Sequence, residues 1–321
     1  MGCWAIEPPA DPYFDRGLNA WIVSRYGDVA AALREPGLVP TLARSTPPAA
    51  PIDVAAHTNF RTLAPAAIQP WEERFAVVAN RLAAVLPAGE PVDLAERYAR
   101  PFSLVAAEIA AQVPPHECAR LALLARSVFD SACDPYDDAL AAAARKAIVE
   151  LSPFFRGAPP WSMQMFIELA HSLPAFLGNA WLALLESPLD VTDLPKAIEE
   201  LLRIGGPGKG QFRQAAASLT IRECRIARNE HVILRLDIAN HDPDEFPDPG
   251  RLRLDRPRPA HLALGAGVHA CVGAAPVRSA AAAATQGLLD RFHPGEYTAV
   301  PVDCFAVRYL RTLTVTLQPH L

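Results

Sequence analysis

Leu262-Ala263-Leu264-Gly265-Ala266-Gly267-Val268-His269-Ala270-Cys271-Val272-Gly273 is the stretch on which the reading of this chain turns. Its glycines allow backbone conformations closed to other residues and a close approach to neighbouring groups. An alanine-rich helical run, AAPVRSAAAAATQGLLDRF, follows at once. A cysteine just ahead of a helix has its thiolate favoured by the free N–H groups and dipole of that end, and a thiolate is a metal ligand. Taken alone, Cys271 reads as an ordinary buried cysteine. A dinucleotide-binding reading is weak: Gly265-x-Gly267 is followed by Ala270, and no acidic residue about twenty positions on is placed to hold a ribose.

Upstream of the loop, DLPKAIEELLRIG reads as a helix, with Asp193 as N-cap, Pro195 in the first turn and Gly205 as the stop. Between it and the loop the hydrophobic period changes to two. SLTIRECRI and EHVILRLDI read as short strands joined at Arg228-Asn229, and residues 240–261 as a polar, proline-rich loop. WSMQMFIELAHSLPAFLGNAWLALLE (161–186) is the most apolar long segment. It reads as a central helix buried nearly all round and kinked at Pro174. WEERFAVVANRLAAVL, RPFSLVAAEIAAQV, HECARLALLARSVFDSA and ALAAAARKAIVELSPFF repeat apolar residues at three and four and read as helices. AWIVSRY (20–26) reads as a strand and DVAAALREP (28–36) as a helix capped by Asp28. The tail FAVRYLRTLTVTL alternates like an edge hairpin. With no internal repeat or flexible linker, the expectation is one domain over 1–321, mainly α with small β-sheets (α+β).

Composition narrows the function classes. The chain has 321 residues, is 51% hydrophobic and carries a net charge of −5. The diffuse positive field of a general nucleic-acid binder is absent. Among 30 basic residues only Lys146, Lys196 and Lys209 are lysine, which with the many Ala and Pro points to a GC-rich bacterial genome. The six cysteines form no CxxC pair, which disfavours a disulfide framework or a four-cysteine zinc site. Cys3, Cys118, Cys133, Cys224 and Cys304 read as incidental thiols. No apolar run reaches the ~18 residues of a membrane span. The start lacks a signal-peptide pattern, and Ile6 stands where a myristoylation signal has Ser or Thr. A cytoplasmic protein without membrane or nucleic-acid partners is expected.

The loop LGAGVHACVG resembles the cysteine-ligand loop of the cytochrome P450 family, F-G-x-G-x-[HR]-x-C-x-G. Glu200-Leu201-Leu202-Arg203 resembles that family's ExxR pair, at the expected distance upstream. NHDPDEFPDP and LDRPRPAHLALG, between them, follow bacterial members segment by segment, and WIVSRYGDVAAALREP resembles their N-terminal strand and helix. The three motifs in order are specific together, although ExxR alone occurs on many helices. The resemblance implies a cytochrome P450-like fold, truncated, binding haem b (iron protoporphyrin IX) with Cys271 as axial ligand. It places His57 and Arg61 (an H-x-x-x-R), Arg213 (an R-x-A) and His269 at the propionates, with Gly265 and Gly267 shaping the loop. Glu200, Arg203 and Arg256 would form the structural triad beneath it. Standing alone, Arg61 and Arg213 read as solvated surface charges, and Glu200–Arg203 as an ordinary i,i+3 pair.

Three departures from the family bear on function. The chain is shorter than ordinary bacterial members, chiefly between 152–157 and the central helix, where the substrate channel lies. Aligning LGNA (177–180) puts His171-Ser172 at the usual acid–alcohol pair, which relays protons during oxygen activation, and puts Glu168-Leu169 where a small Ala-Gly pair is usual. The bland reading is that His171 and Ser172 face elsewhere. Leu264 replaces the aromatic that shields the thiolate, a change in the surroundings of the sulfur that tunes the iron. The resemblance implies a monooxygenase that takes electrons from a ferredoxin- or flavodoxin-type partner and acts on a small organic, secondary-metabolite substrate, carrier- or peptide-bound in one version. Two alternatives stay open. One is an atypical haem-thiolate enzyme: peroxide-driven, an isomerase or dehydratase, or an oxidative coupler. The other is a non-catalytic haem-binding or scaffold member.

Overall fold

The apolar three-and-four spacing becomes helix where the sequence places it. In the computed structural model, which describes residues 4–40, 63, 65–187, 191, 193–256 and 261–320, the chain runs through β1 (Tyr13–Asp15), β2 (Ala20–Val23), α1 (Tyr26–Ala32) and β3 (Leu38–Pro40). Helices α2 (Pro65–Ala84), α3 (Arg100–Ala111), α4 (Pro115–Cys133) and α5 (Asp138–Leu151) follow, with β4 (Pro91–Asp93) between the first two. Then come α6 (Ser162–Ile167), α7 (Leu173–Glu186) and α8 (Leu194–Gly205). After α8 come β5 (Gly210–Ala215), β6 (Leu219–Ile221), β7 (Cys224–Ile226), β8 (His231–Arg235) and α9 (Leu236–Ala239). The chain closes with α10 (Ala274–Leu289) and the hairpin β9 (Phe292–Asp303) and β10 (Arg308–Pro319). The expected α+β class holds.

The main core forms around the central helix. Phe166, Leu169, Phe176 and Trp181 pack with Phe75, Tyr98 and Phe102 of the preceding helical layer and with Leu201 and Ala284 behind them. Tyr98 is fully buried and stacks on Phe102. It meets Trp181 at 5.6 Å between ring centres, while its hydroxyl donates toward the carbonyls of Ala79 and Ala284. Asn179 donates to the carbonyls of Gly205 and Arg308, tying α7 to α8 and β10. Gly205 permits that approach: a Cβ there would lie 3.2 Å from the Ala180 nitrogen.

Four local expectations change. Helix α1 begins at Tyr26 rather than after Asp28, so Asp28 lies in the first turn instead of capping it. SLTIRECRI is itself a hairpin, β6 against β7, while β8 pairs with β2 in parallel and with β5 antiparallel. The tail strand β10 is the middle of its sheet, between β4 and β9, which is why Leu313, Val315 and Leu317 are buried. Pro174 has no N–H to give one turn back and its ring crowds that carbonyl. The chain answers with a π-helical turn over Glu168–Ser172, between α6 and α7.

Gly287 of α10 lies where an added Cβ would meet the Tyr98 hydroxyl at 2.7 Å. Gly287→Ala is expected to lower stability by about 1–3 kcal/mol through overpacking, read as a lower midpoint in urea. Tyr98→Phe in the same background should recover part of the loss.

Candidate functional site

Glu200 and Arg203 lie one turn apart on α8, and both are almost fully buried. Arg203 donates twice to the Glu200 carboxylate, at 2.9 and 2.7 Å, and Arg256 donates to the same group at 2.9 Å. The remaining guanidinium donors go to backbone. Arg203 reaches the carbonyls of Asn240 and Pro249, each at 2.8 Å, and Arg256 reaches those of Pro247 and Asp248. Phe246 lies under both cations. Burial pushes the Glu200 carboxyl up, but the arginines outweigh it and hold the group below its ordinary value. The expected triad is therefore assembled, and it leads to the cysteine loop. Asn240, whose carbonyl receives Arg203, accepts the Leu262 N–H on its side-chain oxygen at 2.7 Å.

From Leu262 the loop is fixed by its own backbone. Gly265 N–H donates to Leu262, and Cys271 N–H donates to Leu264 at 2.8 Å. Gly265 and Gly267 take φ of +67° and +73°. A Cβ at Gly265 would lie 2.9 Å from the Gln211 amide nitrogen, and one at Gly267 would lie 2.8 Å from the Leu33 carbonyl oxygen. The glycines thus seat the loop against β5 and the end of α1. His269 closes a short helical turn, Gly267–His269, in the same loop. The Cys271 sulfur lies ahead of α10, where the nearby Gly273 backbone favours its thiolate, as the position before a helix implies. Burial, then the Glu168 carboxylate, pushes the thiol up to about 11. The Met165 thioether borders Gly273 beside this sulfur.

Arg213, on β5, is buried and has no carboxylate partner among the described residues. Its Nη groups bond to the Phe212 carbonyl and the Gln211 side chain, and its Nε has no partner. Burial lowers it to about 10. Gln211 therefore touches both the Gly265 turn and this arginine. His57 and Arg61 lie outside the described residues.

The structure separates His171 from Ser172. Adjacent helical residues point about 100° apart, and here they find different partners. The His171 ring bonds through Nε2 to the Ala122 carbonyl of α4 at 2.9 Å and stacks on Phe129. Burial holds it below its ordinary value. It lines a cavity of about 270 Å³ together with Arg100, Arg126, Pro174 and Tyr309. Ser172 instead donates to Glu168 at 2.6 Å. Burial pushes the Glu168 carboxyl up, and its charge reaches Cys271. Sequence reasoning noted Glu168 as a departure without assigning it a role; its i,i+4 spacing to Ser172 was the available signal. Among the described residues no group of three or more His, Cys, Asp or Glu is placed to hold a metal ion, and no helix is long and apolar enough to cross a membrane.

Comparison with known proteins agrees with this geometry. The family model described as Cytochrome P450 matches residues 190–293. Mycocyclosin synthase of Mycobacterium tuberculosis is 38% identical over 141 residues, covering 41% of this chain and 35% of that protein. The chain is thus matched to little more than a third of that relative's length. Cytochrome P450 107B1 of Saccharopolyspora erythraea is 27% identical over 346 residues, 89% of this chain and 85% of the relative. Among solved structures, Mycobacterium smegmatis CYP164A2 superposes with a TM-score of 0.81 at 20% identity, over 95% of this chain and 93% of that one. P450BioI, in complex with an acyl carrier protein ligated to hexadec-9-enoic acid, gives 0.80 at 20%, over 96% and 94%.

Glu200→Gln is expected to cost about 3–5 kcal/mol, because it strands two buried guanidiniums; urea unfolding reads the loss. Glu199 supplies a pH test. Burial works against its charge, but His261 and Arg278 outweigh that and hold it at about 2, below the ordinary 4.5. Its stabilisation is full above pH 4.5 and is lost as pH falls toward 2. Glu199→Gln should flatten that part of the Tm-against-pH curve.

Proposed function

We propose that the chain is a member of the cytochrome P450 family, whose model matches residues 190–293, and that it is a haem-thiolate monooxygenase. It would insert one oxygen atom into a small organic substrate, with electrons from a ferredoxin- or flavodoxin-type protein. The observation that carries the reading is Arg213, a buried guanidinium with no carboxylate partner among the described residues, bonded to Gln211, which lies against the turn that presents Cys271. A buried cation in that position calls for an anion, and a haem propionate is such a group. The donor set fits haem: one cysteine sulfur ahead of a helix, one orphan arginine beside it, and glycines that keep the loop against its supports.

When bound, haem supplies a thiolate-held iron whose electron density favours O–O cleavage. Cys271 would hold that iron through its sulfur. Arg213 and His269, with His57 and Arg61 by family resemblance, would hold the propionates of haem b; the planar fork of arginine suits a carboxylate. Gly265 and Gly267 would shape the loop, and Glu200, Arg203 and Arg256 would keep it in place. On the central helix, Glu168 would hold a proton on its carboxyl and Ser172 Oγ would pass one along the same face. His171, turned to the cavity on α4, would collect protons from solvent. This divides between two faces the relay that the sequence assigned to His171 and Ser172 together.

One observation favours a second reading. A carboxyl on the helix facing the thiolate is the acid–base group that cleavage of hydrogen peroxide needs, so Glu168 suits a peroxide-driven variant. The acyl carrier protein bound to P450BioI supports a carrier-borne substrate, and the short segment ahead of α6 would leave room for one.

The test begins with the reduced, carbon monoxide-treated absorption spectrum of the haem-loaded protein. A red-shifted Soret band is expected, and Cys271→Ser should abolish it. A band at the shorter, histidine-like position in the unaltered protein overturns the assignment. Arg213→Met should weaken haem uptake about tenfold or more, in line with a lost charge-assisted pair, without lowering the Tm of the haem-free chain. Glu168→Gln should lower kcat about a hundredfold with little change in KM. Turnover with peroxide alone, set against turnover with a ferredoxin system, separates the two readings.

A further inference from the structure

Two cysteines remote in sequence meet far from the Cys271 loop. Cys133 is the last residue of α4 and is buried, while Cys304 directly follows β9 and is half-buried. Backbone bonds hold them in register. The Ala306 N–H donates to the Cys133 carbonyl at 3.0 Å, and the Cys304 N–H donates to Val307 at 2.9 Å. Lys209 anchors the Cys304 carbonyl at 3.0 Å. The two thiols share one apolar cluster with Phe129, Val307 and Tyr309, close enough for Cys304 to bear on the ionisation of Cys133. The other described thiols outside the Cys271 loop face carbonyls instead: Cys118 donates to Leu104 and Cys224 to Pro12.

We propose that Cys133 and Cys304 are a redox pair that closes to a disulfide under hydrogen peroxide and reopens with a thiol reductant, stapling the end of α4 to the β9–β10 turn. Cys304, the more exposed, reacts first. Its sulfur attacks the peroxide O–O bond, an S–O bond forms, and one water leaves. The Cys133 sulfur then attacks the Cys304 sulfur. The S–S bond forms, the S–O bond breaks, and hydroxide departs with the Cys133 proton as a second water. Two thiols lose two electrons, and one peroxide becomes two waters. Burial pushes the Cys133 thiol up to about 12, which keeps it unreactive toward peroxide until Cys304 presents an oxidised sulfur beside it. In a reducing cell such a bond is transient, which is the behaviour of a sensor rather than of a structural brace.

The staple would act on the face that carries His171. Phe129 lies one turn before Cys133, stacks on the His171 ring and meets Tyr309 edge-on. Fixing Cys133 to Cys304 therefore stiffens the α4 wall of that cavity. Peroxide from any source suffices, so the switch stands whether or not the chain binds haem.

The full chain is treated with equimolar hydrogen peroxide, alkylated and mapped without reduction. The expected result is a linked pair of peptides containing Cys133 and Cys304, lighter by about 2 Da for the two hydrogens lost and separated by dithiothreitol. Because the bridge closes a long loop, Tm should rise by about 5 °C, reversibly with reductant. Cys304→Ser should abolish both effects. It alters a half-buried loop residue, so it tests the pair even where Cys133→Ser fails to fold. Cys304 passing to sulfinic acid while Cys133 stays a free thiol overturns the proposal. So does either cysteine linking to a different one.

Discussion

Glu200 sits in a dry place with two guanidiniums on one carboxylate. Taking three charges out of water costs several kcal/mol for each, and their mutual attraction offsets this only when every remaining donor is satisfied. Here the remaining donors are met by carbonyls between Asn240 and Arg251. The triad cannot be satisfied unless that proline-rich segment follows one path. The same path places Asn240 under Leu262, from which the cysteine loop departs. The position of the Cys271 sulfur is thus set by an ion network that never touches it.

The central helix shows the opposite strategy, in which irregularity rather than locking decides what faces what. Pro174 forces the backbone to open, and the π-helical turn before it rotates the side chains of that turn. His171 leaves for α4, while Glu168 and Ser172 stay on one face. A regular helix with a small residue at 168 would leave the region facing Cys271 apolar. Here a carboxyl is buried in it, and burial holds that carboxyl toward its neutral form. A rigid support and a polar, distorted opposing wall together give the site a chemistry of its own within a common fold.

Much of this was legible in the residues. The cysteine loop, the Glu200–Arg203 pair and the long helices after residue 65 carry strong periodic or motif signals and lie close to where the residues place them, whereas Leu236–Ala239, read as the end of the strand EHVILRLDI, is the short helix α9. The sheets were less legible for a physical reason: β3 and β4 have three residues each, and their partners β5 and β10 are distant in sequence. The tail was read as an edge because alternation reports one buried face and says nothing of a neighbour at either side. Glu168 is hidden in the sequence because the family pattern points to an adjacent acid–alcohol pair, whereas the structure pairs residues four apart. Cys133 and Cys304 had no local spacing to betray them, since only the β9–β10 turn brings them together.

The five-stranded sheet has a consequence for synthesis. Its order, β1-β2-β8-β5-β3, interleaves strands from the first 40 residues with strands from 210–235. β2 finds its parallel partner β8 only after more than 200 further residues have been made, which at ordinary ribosome speeds takes roughly 10–40 s. Throughout that time the N-terminal hairpin has an open edge and apolar side chains such as Ile22 and Val23 uncovered. The helical layer beneath the site can condense in the meantime, but the sheet that backs the cysteine loop cannot. The β1–β2 hairpin therefore stays without its sheet partners until residues 210–235 have been made.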